Sequence, residues 1–291
     1  MSDFALHKPT TLAEAVDVLG SYGGQARPIA GGTALVAMIH QGLVRPAALV
    51  RLDGISGLSG VRRDDGALHL GSLATLADIA SSPAVRQGAP VLAQACGLVG
   101  NVRVRNAATI GGNVCEADYA SDPPGVLCAL GARVRIAGPR GEREIAVHEL
   151  ITDFYETSLA PDEIVSEVLV PLPPSNARCV YLKYVTRSSE DRPCVGATAL
   201  LRLDGNRVEE LRVAVGAVGG SPLRLPAIDA TAAGMPATVD LFRHIGQAYA
   251  DQAEPVADAR GSAAYRARMV AVFVRRALEA AAAGDVGARR V

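Results

Sequence analysis

The sequence predicts an α+β protein: two small α/β units in the first part of its 291 residues, then a separate domain with a three-stranded antiparallel sheet and covering helices. Three observations carry that prediction. Helical and strand-like periodicities alternate around paired glycines in the first fifty-odd residues. The run Pro171-Leu-Pro-Pro174 stops both helix and sheet pairing, which marks a linker. Beyond it, three apolar strand-like stretches precede two long stretches of helical spacing. The units so divided are residues 1–55, 56–175 and 176–291.

In the first unit, Thr11 and Glu14 make a T-x-x-E capping box, and Leu12, Ala15, Val16 and Leu19 follow at helical spacing until Gly20. After the Gly23-Gly24 turn, residues 27–30 read as a strand, Gly31-Gly32 turns the chain, and residues 33–41 read as a helix. A strand at 48–52 gives a β-α-β-α-β order. The second unit opens after glycines between 54 and 60, with a strand at 67–70, a helix opening at Thr75 and Asp78, and another from Pro83 toward Cys96. A glycine turn at 109–113 leads through a polar loop to Asp122 and a short helix at Pro123-Pro124, since proline suits a first helical turn. Strands at 133–137 and 164–170 finish this unit. The last unit has strands at 181–186, 197–203 and 208–218, the latter two joined at Asp204-Gly205-Asn206, and helices at 238–250 and 262–282.

Composition excludes several classes of function. Its 29 basic and 30 acidic residues are mixed along the chain, without the basic patch that a nucleic-acid partner requires. No apolar run reaches the roughly 18 residues of a membrane span, and no basic-then-apolar leader opens the chain, so a cytoplasmic protein is expected. Cysteines 96, 115, 128, 179 and 194 form no C-x-x-C pair, and histidines 7, 40, 69, 148 and 244 are scattered. Reduced thiols and no metal site are therefore expected. Arg266, Arg268, Arg275 and Arg276 read most simply as one solvated helix face, with docking to a partner as the alternative, and Arg103 and Arg105 as surface arginines, with neutralisation of a phosphate as the alternative. Lysine occurs only at positions 8 and 183.

Two segments point to chemistry. Pro28-Ile-Ala-Gly-Gly-Thr-Ala-Leu35 puts two glycines between a strand and a helix start, where backbone N–H groups can approach an anion that the helix dipole also favours. A pyrophosphate suits such a turn; so does a purely structural turn needing one glycine at positive φ. Thr109-Ile-Gly-Gly-Asn113 is a second element of the same kind, and the pair could grip one dinucleotide from two sides. Neither a G-x-G-x-x-G fingerprint nor a G-x-x-x-x-G-K-[ST] loop is present, so a nucleotide would be held in another way.

These segments belong to an ordered series: ARPIAGGTALV (26–36), VRNAATIGGNV (104–114), SDPPGVLCALGA (121–132), YLKYVTR (181–187) with Asp191 and Val195, and GSAAYRARMVAVFVRRAL (261–278). The series resembles the FAD-binding medium subunits of carbon monoxide dehydrogenases and related xanthine dehydrogenase-type molybdenum enzymes over nearly the whole chain. The resemblance implies a two-subdomain FAD-binding fold of the vanillyl-alcohol-oxidase type followed by a C-terminal α+β domain. It places the backbone of Ala30, Gly31, Gly32, Thr33 and Ala34, and of Thr109, Ile110, Gly111, Gly112 and Asn113, on the FAD pyrophosphate. Ser121 and Asp122 match a position that meets the nucleotide or ribityl part, and Tyr181 and Lys183 match a segment near the isoalloxazine. The sequence departs from the family at Ala108, where relatives often have glycine, and at Cys115-Glu116-Ala-Asp118-Tyr119, so no contact is carried over for 115–119.

The function implied is an electron relay with no substrate-attacking residue of its own. Two-iron clusters on a small partner subunit reduce noncovalent FAD here, a large partner holds the molybdopterin, and an external acceptor takes the electrons; a dimer of heterotrimers is the expected assembly. The rivals are a self-sufficient FAD-dependent oxidoreductase and a non-redox binding module.

Overall fold

The computed structural model describes residues 4–188 and 191–291. Its first unit is β1 (Ala5–His7), α1 (Leu12–Ser21), β2 (Ala26–Ile29), α2 (Leu35–His40) and β3 (Ala48–Arg51). The strands form a parallel sheet in the order β1-β3-β2, and α1 buries Ala15, Val16 and Leu19 over Ala26, Ala48 and Val50. The expected capping box is only half made. Thr11 Oγ1 accepts from the Glu14 N–H at 3.2 Å, but the Glu14 carboxylate reaches one residue further back and accepts from the Thr10 N–H at 2.8 Å. The reciprocal box forms instead at Thr75 and Asp78.

The second unit runs β4 (Val61–Arg63), β5 (Ala67–Gly71), α3 (Leu76–Ser81), α4 (Pro83–Gly88), α5 (Pro90–Gly97), α6 (Val102–Ala107), α7 (Ile110–Glu116), α8 (Asp122–Leu130), β6 (Arg133–Gly138), β7 (Gly141–Ala146), α9 (Val147–Leu150), β8 (Ile151–Asp153), β9 (Glu156–Thr157) and β10 (Ile164–Pro171). Five strands pair antiparallel in the order β4-β5-β10-β6-β7. Period-two alternation sends Leu68, Leu70, Val134, Ile136, Val168 and Val170 inward under the helices. The other face carries charges that pair across strands: Glu167 accepts from Arg62 at 3.1 Å and from Arg135 at 2.7 Å, and Arg135 also reaches Glu144 at 2.9 Å. His69 belongs to this ladder, between Asp64 and Glu167.

Helix α8 is buried along its whole length, as its continuous apolar run requires once it lies between two sheets. It packs on α5, β12 and β13, whose ranges complete the chain: β11 (Arg178–Tyr184), β12 (Val195–Asp204), β13 (Arg207–Gly216), α10 (Pro226–Thr231), α11 (Val239–Gln252), α12 (Ala263–Ala282) and β14 (Gly287–Arg290). Strands β11, β12 and β13 form the expected antiparallel sheet, covered by α11 and α12. A fourth strand, β14, adds parallel to β11. Its Gly-Ala-Arg-Arg sequence has no strand signature, because backbone pairing and Gln94 hold it: the Gln94 carbonyl accepts from the Ala288 N–H at 2.6 Å.

The solvated arginine face on α12 needs correction. Arg266 is fully buried; its guanidinium donates to the Ala217 carbonyl and pairs with Asp258, which also accepts from Tyr119 at 2.9 Å. Arg266 therefore ties α12 to the loops after α7 and β13. Arg105 is likewise engaged locally, donating to the carbonyls of Val99 and Gly100.

Candidate cofactor-binding site

A cleft of about 460 Å³ opens where the first and second units meet. Its floor is the turn between β2 and α2. Gly32 takes φ +69°, a left-handed conformation that favours glycine. Among the described residues, the N–H groups of Gly31, Gly32, Thr33 and Ala34 donate to no protein acceptor, so four successive amides are left for an anion. Backbone donors in such a row have no better partner than a phosphate or water.

The second glycine element lies across the cleft but works differently. It is the first turn of α7 rather than a loop, and its amides are engaged. Ile110 donates to the Ala74 carbonyl at 2.9 Å, Gly111 to the Ser72 carbonyl at 2.9 Å, and Gly112 to Oγ1 of the capping Thr109 at 3.1 Å. The carbonyls come from the connection after β5, which the sequence gives no reason to place there. Residues 109–113 therefore supply shape and side chains, not a second row of available amides.

Each glycine pair divides its work. A β-carbon on Gly31 would stand 1.7 Å from the Ala107 carbonyl oxygen, and one on Gly111 would stand 2.5 Å from the Ser72 side chain and 2.8 Å from its carbonyl oxygen. These first glycines let backbones pack. A β-carbon on Gly112 would meet only Thr109 Oγ1, at 2.9 Å, so the second glycine faces the cleft. Asn113 also lines it and pairs with Ser121, whose Oγ accepts from Nδ2 at 2.8 Å. Ile110 points away, fully buried in the core.

Asp122, Tyr181 and Lys183 are brought together, but not onto the cleft wall. The Tyr181 hydroxyl donates to Asp122 Oδ1 at 2.5 Å; Lys183 Nζ donates to Oδ2 at 2.8 Å and to the Leu98 carbonyl at 2.9 Å. All three are buried between α8, α5 and β11. Burial pushes the Asp122 carboxyl above its usual range, with Lys183 and then Tyr181 opposing the shift, and burial pushes Tyr181 well above its own. Gly196, opposite Lys183 in the ladder, leaves room for this cluster: a β-carbon there would lie 2.7 Å from the Tyr181 hydroxyl.

Residues to which sequence reading assigned no cofactor contact close the cleft. Leu52, Leu73, Ile164 and Val165 make an apolar stretch of its wall, while Cys115, Glu116 and Tyr155 line it near the C-terminal end of α7. Tyr155 takes φ 57° and donates its N–H to the carbonyl of Ala117, itself at φ 50°. Such conformations cost non-glycine residues of the order of 1–3 kcal/mol and gather at functional sites. They leave no mark in residue spacing.

A strand-glycine-helix turn with four available amides, sharing a cleft with a glycine-lined helix start, is the kind of site that holds the pyrophosphate of a dinucleotide. Residues 2–173 match the family model described as the FAD binding domain in molybdopterin dehydrogenase, and residues 180–281 match the CO dehydrogenase flavoprotein C-terminal domain. The chain is 31% identical over 278 residues to the carbon monoxide dehydrogenase medium chain of Hydrogenophaga pseudoflava, covering 96% of each. It is 29% identical to a putative xanthine dehydrogenase FAD-binding subunit of Escherichia coli K12, covering 99% of each. The solved carbon monoxide dehydrogenase structure from Hydrogenophaga pseudoflava superposes with a TM-score of 0.93, over 96% of this chain and 97% of that one. Quinoline 2-oxidoreductase from Pseudomonas putida 86 superposes with a TM-score of 0.89, at 27% identity over 97% of this chain and 98% of that one. The chain belongs to the FAD-binding medium-subunit family of molybdenum hydroxylases.

Proposed function

We propose that this chain is the flavin relay of a molybdenum hydroxylase, holding FAD noncovalently in the cleft. The observation that carries the reading is the row of unengaged amides at Gly31–Ala34 facing Gly112. FAD, when bound, supplies the electron chemistry. The residues of the chain bind and orient it. The amides after Ala30 hold the pyrophosphate; the open face of Gly112, on the helix capped by Thr109, lets it approach; and Asn113, braced by Ser121, takes the adjoining polar atoms. The apolar stretch at Leu52, Leu73 and Ile164 would suit the adenine, and the ring would then lie toward residues 115–119. Asp122, Tyr181 and Lys183 act from behind this wall, fixing α8 and β11 and thereby the loop that faces the ring.

The working complex in this reading is a dimer of heterotrimers with an iron–sulfur small subunit and a molybdopterin large subunit, in the cytoplasm. Five free cysteines suit a reducing compartment, and among the described residues no helix is long and apolar enough to cross a membrane. The three units 1–55, 56–175 and 176–291 are the proposed domains.

The test uses the purified full chain. It takes up FAD and turns yellow, and acid precipitation releases all of the chromophore. Dithionite bleaches the bound flavin and a dye restores it, yet no carbon substrate is oxidised until both partners are added. Flavin retained on the denatured chain overturns the noncovalent reading, and substrate oxidation by the chain alone favours a self-sufficient flavoenzyme.

A further inference from the structure

Two glutamates line the cleft, and they differ in what they meet. Glu163 accepts from Arg143 Nε at 2.9 Å, from Arg143 Nη2 at 2.7 Å and from the Ala160 N–H at 2.9 Å. Glu116 has no hydrogen-bond or ion-pair partner among the described residues, although it is half-buried. A carboxylate in that position carries a desolvation cost with no hydrogen bond to offset it and only the charge of Arg192 opposing it, so its presence calls for a function. Glu116 ends α7, and at about 1.5 Å per residue it stands about 6 Å along the axis from Gly112. With FAD held as proposed above, Glu116 would lie beyond the pyrophosphate, toward the ring.

We propose that Glu116 is a redox-linked proton site: its carboxylate takes a proton from water when the flavin ring is reduced and returns it to water when the ring is reoxidised. The proposal rests on the reading that FAD occupies the cleft with its ring toward residues 115–119. Two electrons enter the ring from the iron–sulfur partner, and one proton enters Glu116, in addition to any the ring itself binds. On reoxidation two electrons leave for the acceptor and that proton leaves for water. Negative charge gained by the ring in a half-buried cleft repels a neighbouring carboxylate, and protonation removes the repulsion.

The carboxylates around Glu116 each have an ion-pair partner, which Glu116 lacks among the described residues. Asp118, on the following loop, is held by Arg192 at 2.8 Å, from the segment between β11 and β12. Burial pushes the Cys115 thiol up to about 12 and also raises the Tyr155 hydroxyl. Toward β10, Glu163 is engaged by Arg143; toward α8, Asp122 is engaged by Lys183. Burial first and the charge of Asp118 second raise the Glu116 carboxyl above its ordinary range, with Arg192 opposing.

The experiment is a redox titration of the FAD-loaded full chain from pH 5 to 9, for the wild type, Glu116→Gln and Glu116→Asp, with flavin content read from absorbance. At low pH, where Glu116 is protonated in both redox states, wild type and Glu116→Gln have the same midpoint potential. As pH rises through the window in which only the reduced state holds the proton, the two separate. The two-electron reduction equilibrium of the wild type falls an extra factor of about ten per pH unit relative to Glu116→Gln. Above the window Glu116→Gln is the more easily reduced protein by a constant amount, and Glu116→Asp keeps a break. Parallel curves across the range, with FAD bound in all three proteins, overturn the proposal and leave the FAD reading standing. Loss of FAD from Glu116→Gln alone makes Glu116 a binding residue and also overturns it. A wild-type chain that binds no FAD removes both.

Discussion

Gly112→Val yields a folded chain that takes up no FAD, whereas Gly31→Val yields a chain that does not fold normally. The two sites look alike in sequence, each one of a Gly-Gly pair with an apolar residue before it and a polar one after it. Their surroundings set the difference. At Gly112 the new β-carbon meets only Thr109 Oγ1, so the fold loses no more than part of a helix cap, about 1 kcal/mol, while the branched side chain fills the face the cofactor must approach. At Gly31 the β-carbon overlaps the Ala107 carbonyl, which is backbone and cannot rotate away. Overpacking of mobile side chains costs about 1–3 kcal/mol, and a backbone clash of this depth costs more. Gly32→Val is intermediate: it faces the cleft but forces a β-branched residue to φ +69°. Circular dichroism and thermal unfolding report the fold, and flavin absorbance after gel filtration reports uptake. Full FAD occupancy in a folded Gly112→Val chain removes the proposed approach to the pyrophosphate.

That contrast shows where sequence reading succeeds and where it stops. Helices α1 and α12 are legible because their apolar faces repeat at three and four residues and each begins at a side-chain cap, Thr11 and Ser262. The β12–β13 hairpin is legible from Gly205-Asn206, a local turn signal. The glycine segments are legible as special, but not in what they do. Whether an amide is available depends on carbonyls brought in from elsewhere, and those of Ser72 and Ala74 reach α7 only through the folding of β5 and α3 over it. Arg266 illustrates the same limit. Its spacing puts it among exposed arginines on a helix, yet Asp258 and the turn at Ala217 enclose it. Glu116 stands in the sequence only as part of a segment that departs from the family; what distinguishes it in the structure is a partner it lacks among the described residues.

Lys183→Met destabilises the chain by about 3–5 kcal/mol near neutral pH, the range found when one member of a buried ion pair is removed. Lys183 and Asp122 are 1% and 4% exposed, so the abandoned carboxylate has no access to water. The Leu98 carbonyl loses its donor as well. The pH dependence separates this from simple loss of packing. The folded-state pKa of Asp122 already lies above its unfolded value, so the group favours folding most when protonated and loses that contribution as pH rises from about 4, the unfolded carboxylate value, through the folded one. Lys183 is the largest influence opposing that rise, so Lys183→Met moves the folded pKa higher and prolongs the loss. The deficit against wild type is therefore small below pH 4 and grows toward pH 7. Asp122→Asn combined with Lys183→Met removes the titrating group, flattens the profile and recovers part of the stability. By contrast, the change in flavin potential is small, since the ammonium charge is balanced by a carboxylate 2.8 Å away. Denaturant unfolding at pH 4 and pH 7.5 measures the first effect and a redox titration the second. An equal deficit at both pH values would show that Lys183 contributes packing alone, and a large fall in potential would place its charge at the ring.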